Sequence, residues 1–332
     1  MPLEEQCKVL VVGGAGYIGS HMVKRLLQGN HAVTTLDDFS TGHRDAIVGG
    51  TLIEGNLSDV NLLDRMFAGN CFDAVMHFAS FIQVGESVAQ PARYYNNNLV
   101  NTINLLDAMN GHGVKRFVFS STAAIFGEPQ YVPIDEKHPV APINPYGCSK
   151  AMVEQVLRDY DKAYGLKSVC LRYFNACGAD PDGELGERHD PETHLIPLAL
   201  QSVSGRRGPL TVFGRDYETP DGTCIRDYVH VADLCEAHVK ALDRLNSGGA
   251  SAAFNLGNGE GFSVDEVIKA VGRVTGIPVV VNEGSRRAGD PARLVADSAL
   301  ARQQLGWKPQ YDNLDTIISH AWSWEKKMAG LK

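Results

Sequence analysis

The sequence has no Cys-x-x-Cys pair, no run of about 18 apolar residues, no internal repeat and no low-complexity tract. Its seven cysteines, an odd number, indicate neither a disulfide framework nor a thiolate zinc site. Several sit inside apolar runs, as Cys170 does in Ser168-Val169-Cys170-Leu171, and read as small buried hydrophobes. Without a long apolar run there is no candidate membrane-spanning helix. The leading residues carry Glu4 and Glu5 and no signal-peptide hydrophobic region. Positive charge is in deficit, with 31 Lys and Arg against 39 Asp and Glu and a formal net charge of −8. That balance argues against broad binding to nucleic acid or an anionic membrane, while leaving room for a few arginines around a phosphorylated small molecule. Aromatic residues are modest at 8%, whereas glycine is abundant at 34 of 332 residues. The combination suits a glycine-punctuated α/β enzyme. Asn56-Leu57-Ser58 fits a glycosylation sequon by chance. The expected location is the cytoplasm.

What is present is alternation. Residues 8–12, 31–36, 52–54, 72–78, 115–120 and 167–174 read as buried strands, and 18–28, 61–67, 92–110 and 146–164 as helices. Strands alternating with helices predict βαβ units and a doubly wound, Rossmann-type parallel sheet covered on both faces. From about Asn175 the texture changes to loops rich in Gly, Pro and Asp, such as 178–191 and 214–222. No linker parts two independent domains, so the second half is expected to form a smaller α+β cap built onto the sheet.

The first strand runs directly into Gly13-Gly14-Ala15-Gly16-Tyr17-Ile18-Gly19, and an apolar helix follows. This is the setting of a dinucleotide fingerprint. Gly13 permits the turn, Gly16 lets the backbone approach a pyrophosphate, and Gly19 lets the helix pack on the strand. The spacing is G-x-x-G-x-x-G, which an ordinary strand-to-helix turn also produces. The next strand separates the two readings. It ends at Asp37, eighteen residues beyond Gly19, where a carboxylate accepts from ribose hydroxyls and repels a 2′-phosphate. NAD is therefore expected rather than NADP. Asp38 reads as a turn residue or a second contact.

Asn144-Pro145-Tyr146-Gly147-Cys148-Ser149-Lys150 opens a helix, and Tyr146 and Lys150 share one face at i and i+4. A phenol of pKa ~10 is a poor base at neutral pH, and an ammonium on the same face lowers that value. A preceding strand delivers Ser120, Ser121 and Thr122 at its end, where open parallel sheets present ligand-binding groups. The Thr122 hydroxyl could bridge a tyrosine and a substrate alcohol. Behind a nucleotide fingerprint, the three elements point to hydride chemistry on an alcohol.

With these motifs the chain resembles the extended short-chain dehydrogenase/reductase family. His77-Phe78-Ala79, Val84-Gly85-Glu86-Ser87, Tyr94-Tyr95-Asn96-Asn97-Asn98, Leu171-Arg172-Tyr173-Phe174-Asn175, Arg226-Asp227-Tyr228-Val229-His230-Val231 and Arg287-x-Gly-Asp290 narrow the resemblance to the UDP-glucose (UDP-galactose) 4-epimerases, across almost the whole chain. The resemblance implies tightly held NAD that takes hydride from C4 of a UDP-hexose and returns it to the opposite face. It makes Tyr146 the base and later the acid, Lys150 its tuner and Thr122 the proton relay. It places Tyr17, Ile18, Thr41, Gly42, Asn56, Leu57, Phe78, Ala79, Asn97, Ser120 and Tyr173, beside the three glycines and the acids, at the cofactor. It places Asn175, His194, Leu195, Arg226, Tyr228 and Arg287 around the substrate, Asp290 at the uridine ribose, and Thr211, Val212 and Phe213 beside the uracil. The division implied is residues 1–175 with about 226–250 for the NAD-binding domain, and 176–225 with about 251–332 for the UDP-sugar-binding cap. The helices at 92–110 and 146–164 resemble those that pair subunits, so a homodimer is expected.

Four positions depart from the family pattern. Asn56 replaces an aspartate that accepts from the adenine amine, although its amide oxygen can still accept. Ile82 replaces a lysine found in some members. His194 stands where others carry an asparagine, and with His189, Asp190 and Glu192 nearby a metal site comes to mind. The acids and Pro191 instead suit a solvated loop, and no metal is expected. Leu294 aligns with a gate position against the hexose, and leucine leaves turnover of N-acetylated UDP-hexoses undecided. Other readings are a pentose or uronic-acid epimerase, a dehydratase, or a non-catalytic NAD sensor. Elimination normally needs an acid pair beside the hydroxyl residue, whereas Thr122 is followed by Ala123 and Ala124; a sensor would tend to lose the Tyr/Lys pair.

Overall fold

The computed structural model describes residues 6–287 and 290–331. The two residues between Arg287 and Asp290, part of the last motif above, lie outside it, as do residues 1–5 and 332. Seven parallel strands form the central sheet: β1 (Lys8–Val12), β2 (Ala32–Asp37), β3 (Thr51–Glu54), β4 (Ala74–His77), β5 (Arg116–Thr122), β6 (Lys167–Tyr173) and β7 (Ala252–Leu256). Their order is β7-β6-β5-β4-β1-β2-β3. Side chains alternate between faces along each strand. Val9 and Val11 of β1 join a core under α1 (Tyr17–Gln28), while Leu10 and Val12 join the opposite core under α2 (Val60–Gly69). Burial on both faces explains why the strands read as continuous apolar runs.

After α2 the chain forms α3 (Val84–Ala89), α4 (Pro91–Tyr95), a π-helical turn at Asn96–Val100 and α5 (Asn101–Gly111). The helix expected at 92–110 is therefore interrupted. The turn holds three successive asparagines, and Asn98 uses both ends of its amide on the Phe81 backbone, accepting at 2.9 Å and donating at 3.0 Å. Next comes α6 (Pro145–Tyr164). Asn144 caps it by accepting from the Gly147 N–H at 2.9 Å, Pro145 fills its first turn, and Gly165 ends it in the left-handed conformation.

The cap centres on α7 (Leu195–Val203), α9 (Val264–Thr275) and α11 (Leu314–Ala329), whose apolar faces share one core. Between them, α8 (Val231–Asn246) returns to the sheet and packs with α1. The return goes further than the expected boundary near 250. β7 pairs with β6 from Ala252 opposite Val169 to Leu256 opposite Tyr173. α10 (Ala299–Gln304) and Trp307 also contribute to the core beneath the sheet. Five residues containing two alanines carry little strand signal. Fully buried Phe254 and Leu256, on an edge that β6 leaves open, supply the reason for pairing.

Candidate active site

The carboxyl ends of the central strands and the facing cap enclose a cavity of about 1490 Å³. A site for one small ligand is typically about 300–1,000 Å³, so there is room for two ligands or one long one. Every site residue expected from the sequence lines it except Gly42. Gly42 packs behind the glycine loop, where an added Cβ would meet Ala15 Cβ at 2.8 Å.

The floor is the loop between β1 and α1. Gly13 has φ +82°, and an added Cβ would lie 2.5 Å from the Ala79 amide nitrogen. A Cβ on Gly19 would lie 2.0 Å from the Gly13 carbonyl oxygen, which accounts for close packing of helix on strand. Gly16 has ordinary room on the protein side, at 3.4 Å, so packing alone does not require a glycine there. No side chain caps α1 and no acid sits in its first turn, which leaves amide donors and the positive helix end for an anion.

Asp37 accepts from the Ala15 N–H at 2.9 Å and from the Phe39 N–H at 2.8 Å, and burial raises its pKa. Asp38 acts as a turn residue, its Oδ1 accepting from Ser40 N–H at 2.9 Å, and its Oδ2 takes the Asn56 amide. Asn56 Oδ1 in turn accepts from Ser58 N–H at 2.8 Å, so the oxygen expected to face an adenine amine is already partly used. Tyr17 reaches across the cavity base, and its hydroxyl donates to the Gly178 carbonyl at 2.7 Å.

On the reactive side, the Thr122 hydroxyl lies near the Tyr146 phenol and accepts from Ala124 N–H at 3.1 Å. Burial raises the Tyr146 pKa, and Thr122 opposes that rise. The expected lowering by Lys150 is not found. Lys150 donates instead to the Ser120 carbonyl at 2.8 Å and lies over the Phe119 ring. Burial lowers its pKa to about 7, with Glu154 pulling the other way. The Ser120 hydroxyl meets the Tyr173 hydroxyl, so one residue braces both side chains. Beneath them lies a buried network that sequence reasoning missed, in which Ser121 Oγ donates to Glu154 at 2.7 Å and Arg172 forks onto the same carboxylate. Glu154 follows Lys150 by one helical turn, and that spacing was the available signal.

In the cap, Arg226 is paired with Asp290 and donates to its neighbour Ile225 O at 2.8 Å. The two residues expected at diphosphate and ribose are thus partners of each other. Arg287 lies over the Phe213 ring at 4.0 Å. Leu294 packs against the buried cluster of Ala123, Ile125, Phe126 and Ile134 as cavity wall. The segment expected to be a solvated loop is not one. Glu187 and Glu192 have side chains only 5% and 3% exposed, and they gather with His189 and His194 at the cavity rim.

The NAD dependent epimerase/dehydratase family matches residues 9–257. This chain belongs to that family. The UDP-glucose 4-epimerase of Halalkalibacterium halodurans is 51% identical over 319 residues, covering 96% of each chain. The crystal structure of UDP-glucose 4-epimerase from Brucella ovis in complex with NAD superposes with a TM-score of 0.95 at 50% identity, covering 98% of this chain and 99% of that one. The UDP-Glc/GlcNAc 4-epimerase of Campylobacter jejuni gives 0.85 at 46% identity, covering 97% and 99%. Membership agrees with the doubly wound sheet, and no described helix is long and apolar enough to cross a membrane.

Proposed function

We propose that the chain interconverts UDP-glucose and UDP-galactose by NAD-dependent inversion at C4 through a transient 4-keto sugar. The observation that carries this reading is one cavity joining Thr122, Tyr146 and Lys150 to a wall bearing Arg226 and Arg287. Full-length relatives named UDP-glucose 4-epimerases support it.

The residues present fit NAD. The uncapped amino terminus of α1 suits a pyrophosphate, and Asp37 retains lone pairs for ribose hydroxyls. Asp38, Thr41, Asn56, Leu57, Phe78, Ala79, Asn97 and Tyr173 would complete that half, with Lys150 at the nicotinamide ribose. Bound NAD supplies a hydride acceptor that stays in place and returns the hydride. Tyr146 takes the 4-hydroxyl proton and gives it back, and Thr122 connects phenol to sugar. Arg226 and Arg287 meet the diphosphate with planar donors, Arg226 leaving Asp290 free for the ribose. Asn175, Leu195, Thr211, Val212, Phe213 and Tyr228 hold the nucleotide end, with His194 and Leu294 nearer the sugar. With the diphosphate held, the cavity volume leaves space for the sugar to turn.

The division runs as 1–175 with 226–256 and 299–307 for the NAD side and the remainder for the sugar side, the boundary moved to include β7 and α10. A homodimer in the cytoplasm is part of this reading. The neighbouring elements α3 to α6 leave Val88, Val100 and Met152 exposed at 62%, 45% and 44%, an apolar surface of the kind subunits cover. The central experiment incubates the purified protein with UDP-galactose and no added NAD. UDP-glucose should form, and denatured protein should release NAD. If neither is observed, the reading is wrong. A monomer in light scattering would remove the dimer alone.

A further inference from the structure

Four side chains converge at the cavity rim from residues 187–194. His189 Nδ1 lies 3.3 Å from Glu187 Oε1 and 3.7 Å from Glu192 Oε2, and His194 Nδ1 lies 2.5 Å from Glu187 Oε1 and 3.5 Å from Glu192 Oε1. One ligand atom from each residue fits within 4.8 Å of all the others. For bonds of about 2.0–2.2 Å, a tetrahedral ion separates its ligand atoms by roughly 3.3–3.6 Å. With Glu192 Oε2 as the ligand atom, the two His189 contacts are near that spacing, and the His194–Glu187 contact would open by about an ångström to reach it.

His194 Nδ1 and Glu187 Oε1 hydrogen-bond each other, but the other two ligand atoms are left over. His189 Nδ1 and Glu192 Oε2 are buried and have no hydrogen-bond partner, although each is within ion-pair distance of the other. Glu192 is 7% exposed, and its Oε1 is held by the Thr193 and His194 N–H groups at 2.8 and 2.9 Å. Its second oxygen is thereby fixed toward the cluster. A buried carboxylate oxygen without a hydrogen bond is costly, and a bound cation offsets that cost. The Glu187 carbonyl accepts from Trp324 Nε1 at 3.0 Å, and the His189 ring packs edge-on against Tyr17.

We propose that Glu187, His189, Glu192 and His194 bind a divalent transition-metal ion of the zinc class. The donor set, two imidazole nitrogens and two carboxylate oxygens, suits Zn²⁺ in closed four-coordinate geometry, in which the ion organises structure. It cross-links a segment packed between α1 and α11 and ending at the first turn of α7. It also fixes the tautomer of His194: with Nδ1 on the metal, Nε2 carries the hydrogen and is a permanent donor on a side chain that lines the cavity. His194 then acts at the substrate as a neutral donor. The metal assignment stands independently of the epimerase reading.

The test uses untagged full-length protein, purified without chelator, for metal analysis. Part is then stripped and titrated with Zn²⁺ or Co²⁺. The expected result is close to one equivalent per chain, ligand-field absorption of tetrahedral Co²⁺, and a zinc-edge X-ray absorption spectrum with nitrogen and oxygen but no sulfur neighbours. Glu192→Gln retains an oxygen for the two backbone amides, and His189→Asn retains polarity. Altering even an outer-shell group costs 10–100-fold in affinity, so each ligand substitution should cost at least about that much while NAD content is unchanged. No retained metal and no Co²⁺ band in the wild type would overturn the site, as would sulfur ligation or equal affinity in folded variants. The wild-type spectra decide the question even if a variant fails to fold.

Discussion

Arg172 on β6 forks onto Glu154 on α6 through hydrogen bonds of 2.9 and 2.6 Å, with both side chains almost wholly out of solvent. The pair ties the helix bearing Tyr146 and Lys150 to the sheet bearing Thr122. Removing one partner leaves a buried charge alone, which typically costs 3–5 kcal/mol. Arg172→Met should therefore lose about that much stability in denaturant titration. The double variant Arg172→Met, Glu154→Leu should recover most of the loss, since an apolar pair of similar volume replaces the ions. Equal losses in the single and double variants would show that the pair is not the source.

Lys150 gives a pH dependence. Its lowered pKa of about 7 means that below neutrality Lys150 is an ammonium and Tyr146 a phenol, so the pair lacks a base. Loss of one proton makes it competent, whichever residue gives the proton up. kcat/KM should rise through pH 7 and level off, and a flat profile between about pH 6 and 9 would contradict this. Stability has the same sign. Between about pH 7 and the ordinary lysine range the unfolded chain holds a proton that the folded one has lost, so stability rises with pH across that window. Lys150→Met should abolish turnover yet raise the melting temperature, most at acid pH.

Gly19 and Gly272 both lie within helices, and their replacement by alanine should have opposite effects. A Cβ at Gly19 meets the Gly13 carbonyl oxygen, so Gly19→Ala must push α1 off the sheet. The expected cost is about 1–3 kcal/mol, together with loss of co-purifying NAD. At Gly272 the nearest atom is 3.9 Å from the added Cβ. Gly272→Ala should add about 0.4–1 kcal/mol and leave NAD content alone. Thermal melts with NAD quantified after denaturation compare the two.

Leu294 packs against the buried cluster of Ala123, Ile125, Phe126 and Ile134 and lines the cavity, so a larger side chain extends into the cavity. Leu294→Tyr should reduce kcat/KM for UDP-N-acetylgalactosamine at least about tenfold relative to UDP-galactose, and Leu294→Ala should move the ratio the other way. The ratio of the two substrates is the readout. An unchanged ratio in both variants would make Leu294 plain wall.

The glycine loop, Asp37, Thr122 and the Tyr146–Lys150 pair were legible because each depends on local spacing along one strand or helix. The structure brings them to one cavity. What stayed hidden depends on partners distant in sequence. Nothing near Arg226 announces Asp290, and nothing near Lys150 announces the Ser120 carbonyl that takes its proton donor. The loop at 187–194 was misjudged because acids and a proline usually mean solvent. Burial by Trp324 and Tyr17, from opposite ends of the chain, is what turns that composition into a cluster. β7 was missed for a related reason, since its strand character comes from the open edge of β6.

That edge has a consequence for dissecting the molecule. β7 is supplied after the chain has already built part of the cap, so neither half is a contiguous gene segment. A fragment ending near residue 175 would expose the full outer edge of β6, from Val169 to Tyr173, as an unpaired template for other chains. Such a fragment should aggregate, and the complementary piece would carry an orphan strand. Swapping one half for a relative's must therefore exchange two or more segments at once. In inheritance, as in folding, the molecule behaves as a single unit.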